Sequence, residues 1–95
     1  MLDLRKEYVF ELNKDIVIHS IPELDKYWVF NVNSGDHYEI NESAYFLISH
    51  VDGKTNLENI TSSFYDEYSV GTSIAENDVS EIIKQFLDSN IIRRR

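Results

Sequence analysis

The apolar positions of this chain change rhythm once, near residue 40. Before it they alternate with polar positions or cluster in short β-branched and aromatic blocks. Tyr8-Val9-Phe10-Glu11-Leu12 and Asp15-Ile16-Val17-Ile18-His19 are two such runs, separated by Asn13-Lys14. Lys26 to Val32 is a third, dense in residues that suit a pleated surface. The one proline, Pro22, stands in the connector Ser20-Ile21-Pro22-Glu23-Leu24-Asp25, where it interrupts no ladder. Asn33-Ser34-Gly35-Asp36 then punctuates the chain, and Gly35 suits the positive φ of a tight hairpin. His37 to Ile40 is the return strand, so the first part of the chain reads as a small antiparallel meander.

From Asn41 the period becomes helical. Asn41 is a good N-cap, because its side-chain oxygen can accept from a free backbone N–H. Ala44, Leu47, Ile48 and Val51 follow at i, i+3, i+4 and i+7, one face of a first helix. Asp52-Gly53 is expected to end it. Thr55-Asn56-Leu57-Glu58 reads as a capping box opening a second helix, whose inner face is Leu57, Ile60, Phe64 and Tyr68. After the loop Ser69-Val70-Gly71-Thr72, Ser73-Ile74-Ala75-Glu76 repeats the capping-box pattern. The third helix carries Val79, Ile82, Ile83, Phe86 and Leu87, the most regular apolar stripe in the chain. Asn90 reads as its C-terminal cap, and Ile91-Ile92 as a segment folding back onto the core. Three strands followed by three short helices predict an α+β fold of winged helix-turn-helix type.

Composition narrows the function. The 95 residues, 42% hydrophobic and 13% aromatic, suit one globular domain over 1–95. No apolar run approaches the ~20 residues that cross a bilayer, and the start, Met1 to Glu7, lacks the order of a secretory signal. Cysteine is absent, which leaves a reducing, cytoplasmic location as the default. Seventeen acidic residues against nine basic ones give a net charge of −8. Three of the nine positive charges sit in Arg93-Arg94-Arg95, which reads as a solvated tail.

Catalytic signatures are missing. His19, His37 and His50 are far apart, with no pair at metal-ligand spacing. No serine sits in a nucleophile-elbow context, and Gly35, Gly53 and Gly71 are scattered singly, so no phosphate-cradling loop can be built from them. The acidic neighbours Asp66-Glu67 and Glu76 with Asp78 read as exposed helix ends rather than an acid–base pair. The expectation is a protein that is not an enzyme and needs no cofactor. DNA is the obvious partner for a winged helix, yet the second helix carries Glu58, Asp66 and Glu67 with no basic residue. The third carries Glu76, Asp78, Glu81 and Asp88 against Lys84 alone. Such helices are repelled by phosphates.

What remains is another polypeptide. The return strand 36–40 is the last before the helices and so lies at a sheet edge, a template for an added strand. Tyr38 and Ile40 share its core-facing side. A third helix running beside that edge would make an apolar groove of the two. Alternatively, all five apolar residues of that helix are consumed by the core. Periodicity does not separate these readings.

One family resemblance bears on the choice. The stretch Phe30-Asn31-Val32-Asn33-Ser34-Gly35-Asp36-His37-Tyr38-Glu39-Ile40-Asn41-Glu42-Ser43-Ala44 resembles the PqqD-like proteins, in which a Gly turn leads to an aromatic strand ending in Leu-Asn before a small-residue helix start. Val51-Asp52-Gly53-Lys54-Thr55 is similar to that family's DG-x-T joint, and Leu57-Glu58-Asn59-Ile60 to its second helix, closing with Phe64 to Tyr68. Asp78-Val79, Phe86-Leu87 and Asn90-Ile91-Ile92 are similar to its DV…FL…GLI close. The likeness runs from about residue 15 to 93. Ile40 departs from the usual Leu, and Asn90 from the usual Gly.

The resemblance implies a recognition domain for ribosomally made, post-translationally modified peptides. It implies that the leader of a precursor peptide adds as a strand beside His37, Tyr38, Glu39 and Ile40. The facing wall would be Val79, Ile82, Ile83 and Phe86. It further implies delivery to a maturation enzyme, a radical SAM enzyme or, for lasso peptides, a leader peptidase. A DNA-binding regulator and a structural subunit of a maturation enzyme are the alternatives. An unfilled edge strand is also open to pairing with its own copy.

Overall fold

The computed structural model describes residues 4–95; Met1 to Asp3, the front of the start segment, lie outside the described residues. In chain order the elements are β1 (Phe10–Leu12), β2 (Ile16–Ile21), a single 3₁₀ turn (Pro22–Leu24), β3 (Lys26–Asn31), β4 (His37–Ile40), α1 (Glu42–Ile48), α2 (Leu57–Tyr68), α3 (Thr72–Asp88) and β5 (Ile92–Arg94). β2, β3 and β4 form the expected antiparallel meander, in that spatial order. The hairpin between β3 and β4 turns on Gly35 at φ +82, where a side chain would be strained. The three helices pack on one face of this sheet, giving the α+β winged-helix arrangement.

The N-terminal run does not extend the meander. β1 pairs with β5 in a separate two-stranded ribbon, with Phe10 opposite Arg94, Glu11 opposite Arg93 and Leu12 opposite Ile92. The arginine triplet is therefore structural rather than a free tail. Arg93 Nε meets Glu11 Oε2 at 2.7 Å, the Arg94 guanidinium stands 3.7 Å over the Tyr8 ring, and Arg95 donates to the Gly53 carbonyl at 2.6 Å. Periodicity missed this because three consecutive charges carry no apolar rhythm. The ribbon instead recruits them through cross-strand charge and ring contacts.

Local chemistry explains the helix ends. The Asn41 side chain caps α1, accepting from Ala44 N–H at 2.8 Å. α1 closes at Ile48, ahead of the expected Asp52-Gly53 stop. Gly53 serves a turn instead. Its φ is +76, its N–H donates to Phe10 C=O, and a Cβ there would meet the Arg95 guanidinium at 3.3 Å. The second helix is capped by Asn56, one residue later than the expected Thr55. Thr55 is taken by Asp52, which accepts from both its N–H and its hydroxyl. α3 opens at Thr72 behind Gly71 with no side-chain cap, so Ser73 lies inside the helix rather than before it. At its far end Asn90 is left-handed, with φ +58. Ile91 N–H reaches Phe86 C=O and Asn90 N–H reaches Leu87 C=O, the double return of a Schellman close.

The core gathers Val29 from the sheet, Leu47 and Ile48 from α1, Ile60 and Phe64 from α2, Val79, Ile83 and Phe86 from α3, and Phe10 and Ile92 from the ribbon. Full burial of one such side chain contributes roughly 1.5–3 kcal/mol. No helix among the described residues is long and apolar enough to cross a membrane.

Candidate functional site

Backbone parity shows what the sheet edge offers. Val32 N–H donates to Asp15 C=O at 2.9 Å, and Asn31 N–H donates to Asp36 C=O at 2.8 Å. Hydrogen-bonded and non-bonded pairs alternate along an antiparallel ladder. With the observed registers, the even-numbered residues of β3 bond to β2 and the odd-numbered ones to β4. On β4, Tyr38 and Ile40 therefore turn their backbone groups toward β3. The N–H and C=O of His37 and Glu39 point out of the sheet. Among the described residues, no strand pairs with that side of β4. The margin is an open template.

Side chains follow the complementary parity. Tyr38 stands opposite Val29 and Ile40 opposite Tyr27, all four on the inner face. Val29 is fully buried, whereas Tyr38 is 42% exposed. The helical layer thus covers the sheet over β3 and leaves it open at β4. Ile40 is half-buried and packs against the core. Beside it the Tyr27 ring stacks on Tyr45 of α1, with centroids 4.4 Å apart. Burial, followed by the nearby Asp25 carboxylate, raises the Tyr27 phenol above its ordinary pKa. Burial and then Glu42 act the same way on Tyr68, whose hydroxyl donates to Glu42 Oε1 at 3.5 Å. These two contacts tie β3 and α2 to α1.

The outer face is built by alternate residues of the same strands. His37 stacks on Phe30 at 5.9 Å, and His19 on Trp28 at 6.0 Å. Glu39 Oε2 meets Lys26 Nζ at 3.1 Å, both side chains about half exposed. This aromatic and ion-pair layer was absent from the sequence reading. Its only signal was the spacing of Val17 and His19, Trp28 and Phe30, and His37 and Glu39 two apart.

The wall expected from α3 is only partly at the surface. Val79, Ile83 and Phe86 are closed into the core at 1%, 0% and 4% exposure. Ile82 is half-buried, as is Leu87 further along the helix. Of the four wall residues, Ile82 alone offers accessible apolar surface, because the other three are closed into the core shared with Leu47, Ile60 and Phe64. A concavity of about 860 Å³ lies elsewhere: it runs between α2 and α3, beside Leu4 and Lys6, and includes no residue of β4. His19 and His50 are apart from the edge; His50 packs on Phe46 of α1 at 4.4 Å. Among the described residues, no three His, Asp or Glu side chains gather as a metal site.

Two solved structures share the fold. One, described as TbiB1 in complex with the TbiA(beta) leader peptide, is 16% identical, with a TM-score of 0.77 over 87% of this chain and 94% of that one. The other, lasso peptide synthetase B1 complexed with the leader peptide, is 15% identical, with a TM-score of 0.76 over 88% and 96%. No curated protein sequence matches the chain. The family model of coenzyme PQQ synthesis protein D (PqqD) matches residues 26–92, which spans β3, β4, all three helices and the start of β5. This chain belongs to the PqqD family.

Proposed function

We propose that this protein is a non-catalytic adaptor that binds the leader segment of a ribosomally synthesised precursor peptide as a fourth strand on β4. The observation that carries this reading is the outward-facing backbone of His37 and Glu39 next to a Tyr38 that faces inward yet remains exposed. Family membership supports it, as do two fold neighbours that were each solved with a leader peptide. A guest strand gains backbone hydrogen bonds from His37 and Glu39 and covers Tyr38 and Ile40. Ile82 supplies the accessible part of the facing wall, with Val79, Ile83 and Phe86 as its buried backing. The joint at Asn41 holds the edge rigid against α1, which lowers the ordering cost of taking up a flexible peptide. The adaptor then presents the precursor, in the cytoplasm, to a radical SAM maturase or a leader peptidase. Without a guest, the same edge is free to pair with a second copy.

Calorimetric titration with the leader segment of a candidate precursor peptide from the same genome tests the reading. Binding is expected at micromolar affinity or better, on the order of −8 kcal/mol, with amide shifts at His37 to Ile40. Glu39→Pro removes an N–H that points away from β3, so the fold survives on an edge strand while binding falls at least tenfold. Tyr38→Pro breaks the β3 ladder and loosens the hairpin itself. Absence of both heat and amide shifts with the unaltered protein overturns the proposal.

A further inference from the structure

Resting on strand addition at β4, we infer that the edge selects its guest by charge as well as by apolar pattern. The preferred guest carries a cationic side chain beside Glu39 and an apolar one next to it, beside Tyr38. The argument begins from alternation. A strand laid against His37 to Ile40 sends successive side chains to opposite faces, so the residue facing Tyr38 points inward and its neighbours point outward. Inward it meets an exposed phenol over a fully buried Val29, a place that rewards an apolar side chain. Outward it meets Glu39, whose Oε2 is held by Lys26 while more than half of the side chain remains exposed.

Lys26 lies on β3, on the far side of Glu39 from the guest, so the guest's charge and that of Lys26 are about two strand spacings, roughly 10 Å, apart. That is beyond the ~8 Å screening length at physiological salt. Glu39 therefore stands between two cations rather than being satisfied by one. The net charge of −8 draws a cationic guest toward the surface in the same sense. An acidic residue in the same place meets Glu39 as a like charge directly across a ladder.

Three synthetic peptides test this by amide-shift titration: acetyl-Ser-Val-Lys-Val-Lys-Val-Ser-amide and its counterparts with Glu or Thr in place of both lysines. The lysine peptide is expected to perturb His37 to Ile40 and to bind ~3- to 10-fold more tightly than the glutamate peptide. Glu39→Gln, at an exposed position, is expected to keep the fold and abolish most of that preference. Equal affinity for the lysine and glutamate peptides, with shifts at β4, overturns the charge selection and leaves strand addition standing. A preference undiminished in Glu39→Gln also overturns it, assigning the effect to net charge alone. If no peptide perturbs β4 while the precursor's leader does, the proposed alternation is wrong. If the leader fails as well, strand addition itself has failed.

Discussion

At residue scale, short polar side chains set the joints of this fold. Asn41 ends β4 and starts α1 within one residue because its side chain replaces the hydrogen-bond partner that Ala44 N–H lacks. Asn56 repeats the device at α2. Asp52 organises the loop between them by accepting from the Lys54 and Thr55 N–H groups. The Thr55 N–H, then that of Lys54, holds the Asp52 carboxyl below its ordinary pKa. A carboxyl depressed in the folded state stabilises above its unfolded pKa, and that contribution is lost as pH falls through the folded value. Asp52→Asn keeps an acceptor oxygen but not the charge. Its stability deficit is therefore expected to be full at pH 6 and to shrink once pH drops below about 4, the unfolded range of Asp. Denaturant midpoints of both proteins from pH 6 to pH 2.5 check this; a deficit that is constant or grows on acidification contradicts the turn's charge dependence.

At element scale, α3 is the case in which adjacent residues have different fates. Ile82 and Ile83 belong to one apolar stripe, yet Ile83 is fully buried and Ile82 is half-buried. Ile83→Asp leaves an unpaired charge in the core, a change that costs several kcal/mol, so it is expected to unfold a domain of this size. Ile82→Asp is expected to retain the helical circular dichroism and cooperative unfolding while weakening leader binding at least several-fold. If Ile82→Asp binds as the unaltered protein does, α3 does not form the facing wall. The open margin of β4 is likewise a property of the element. No residue of His37 to Ile40 is unusual alone, but parity sends two of its backbones outward and two of its side chains inward.

At the scale of the whole molecule, the N- and C-terminal parts of the described chain meet to brace the helices. Leu57 N–H donates to Tyr8 C=O and Glu58 N–H to Lys6 C=O, so the N-terminal segment satisfies the opening turn of α2. Arg95 N–H returns to Val9 C=O, and Asn13 N–H to Ile91 C=O. Phe10, 1% exposed, is the apolar pin of this ribbon. Phe10→Ala is expected to cost about 3–5 kcal/mol of unfolding free energy, read from denaturant titration. A loss below 1 kcal/mol shows that the ribbon is an accessory to the core rather than part of it. Because β1 is spent on β5, it does not cover β4. Among the described residues the margin stays open, because the strand that might have sealed it is used elsewhere.

The sequence by itself determined the meander, the hairpin at Gly35, the cap at Asn41 and the three amphipathic helices. These depend on periodicity, turn chemistry and capping among residues close together in the chain. The PqqD-like motifs were legible for the same reason, as a fixed order of local signals from about residue 15 to 93. Tertiary structure alone decided that β1 pairs with Ile92 to Arg94, since a long-range pairing leaves no periodic trace. It also decided which of Val79, Ile82, Ile83 and Phe86 remain accessible, because a stripe shows that a helix has an inner face and not how wide its neighbours' cover is. The openness of Tyr38 beside a sealed Val29 belongs to the same class: burial at a sheet edge depends on where the helical layer ends.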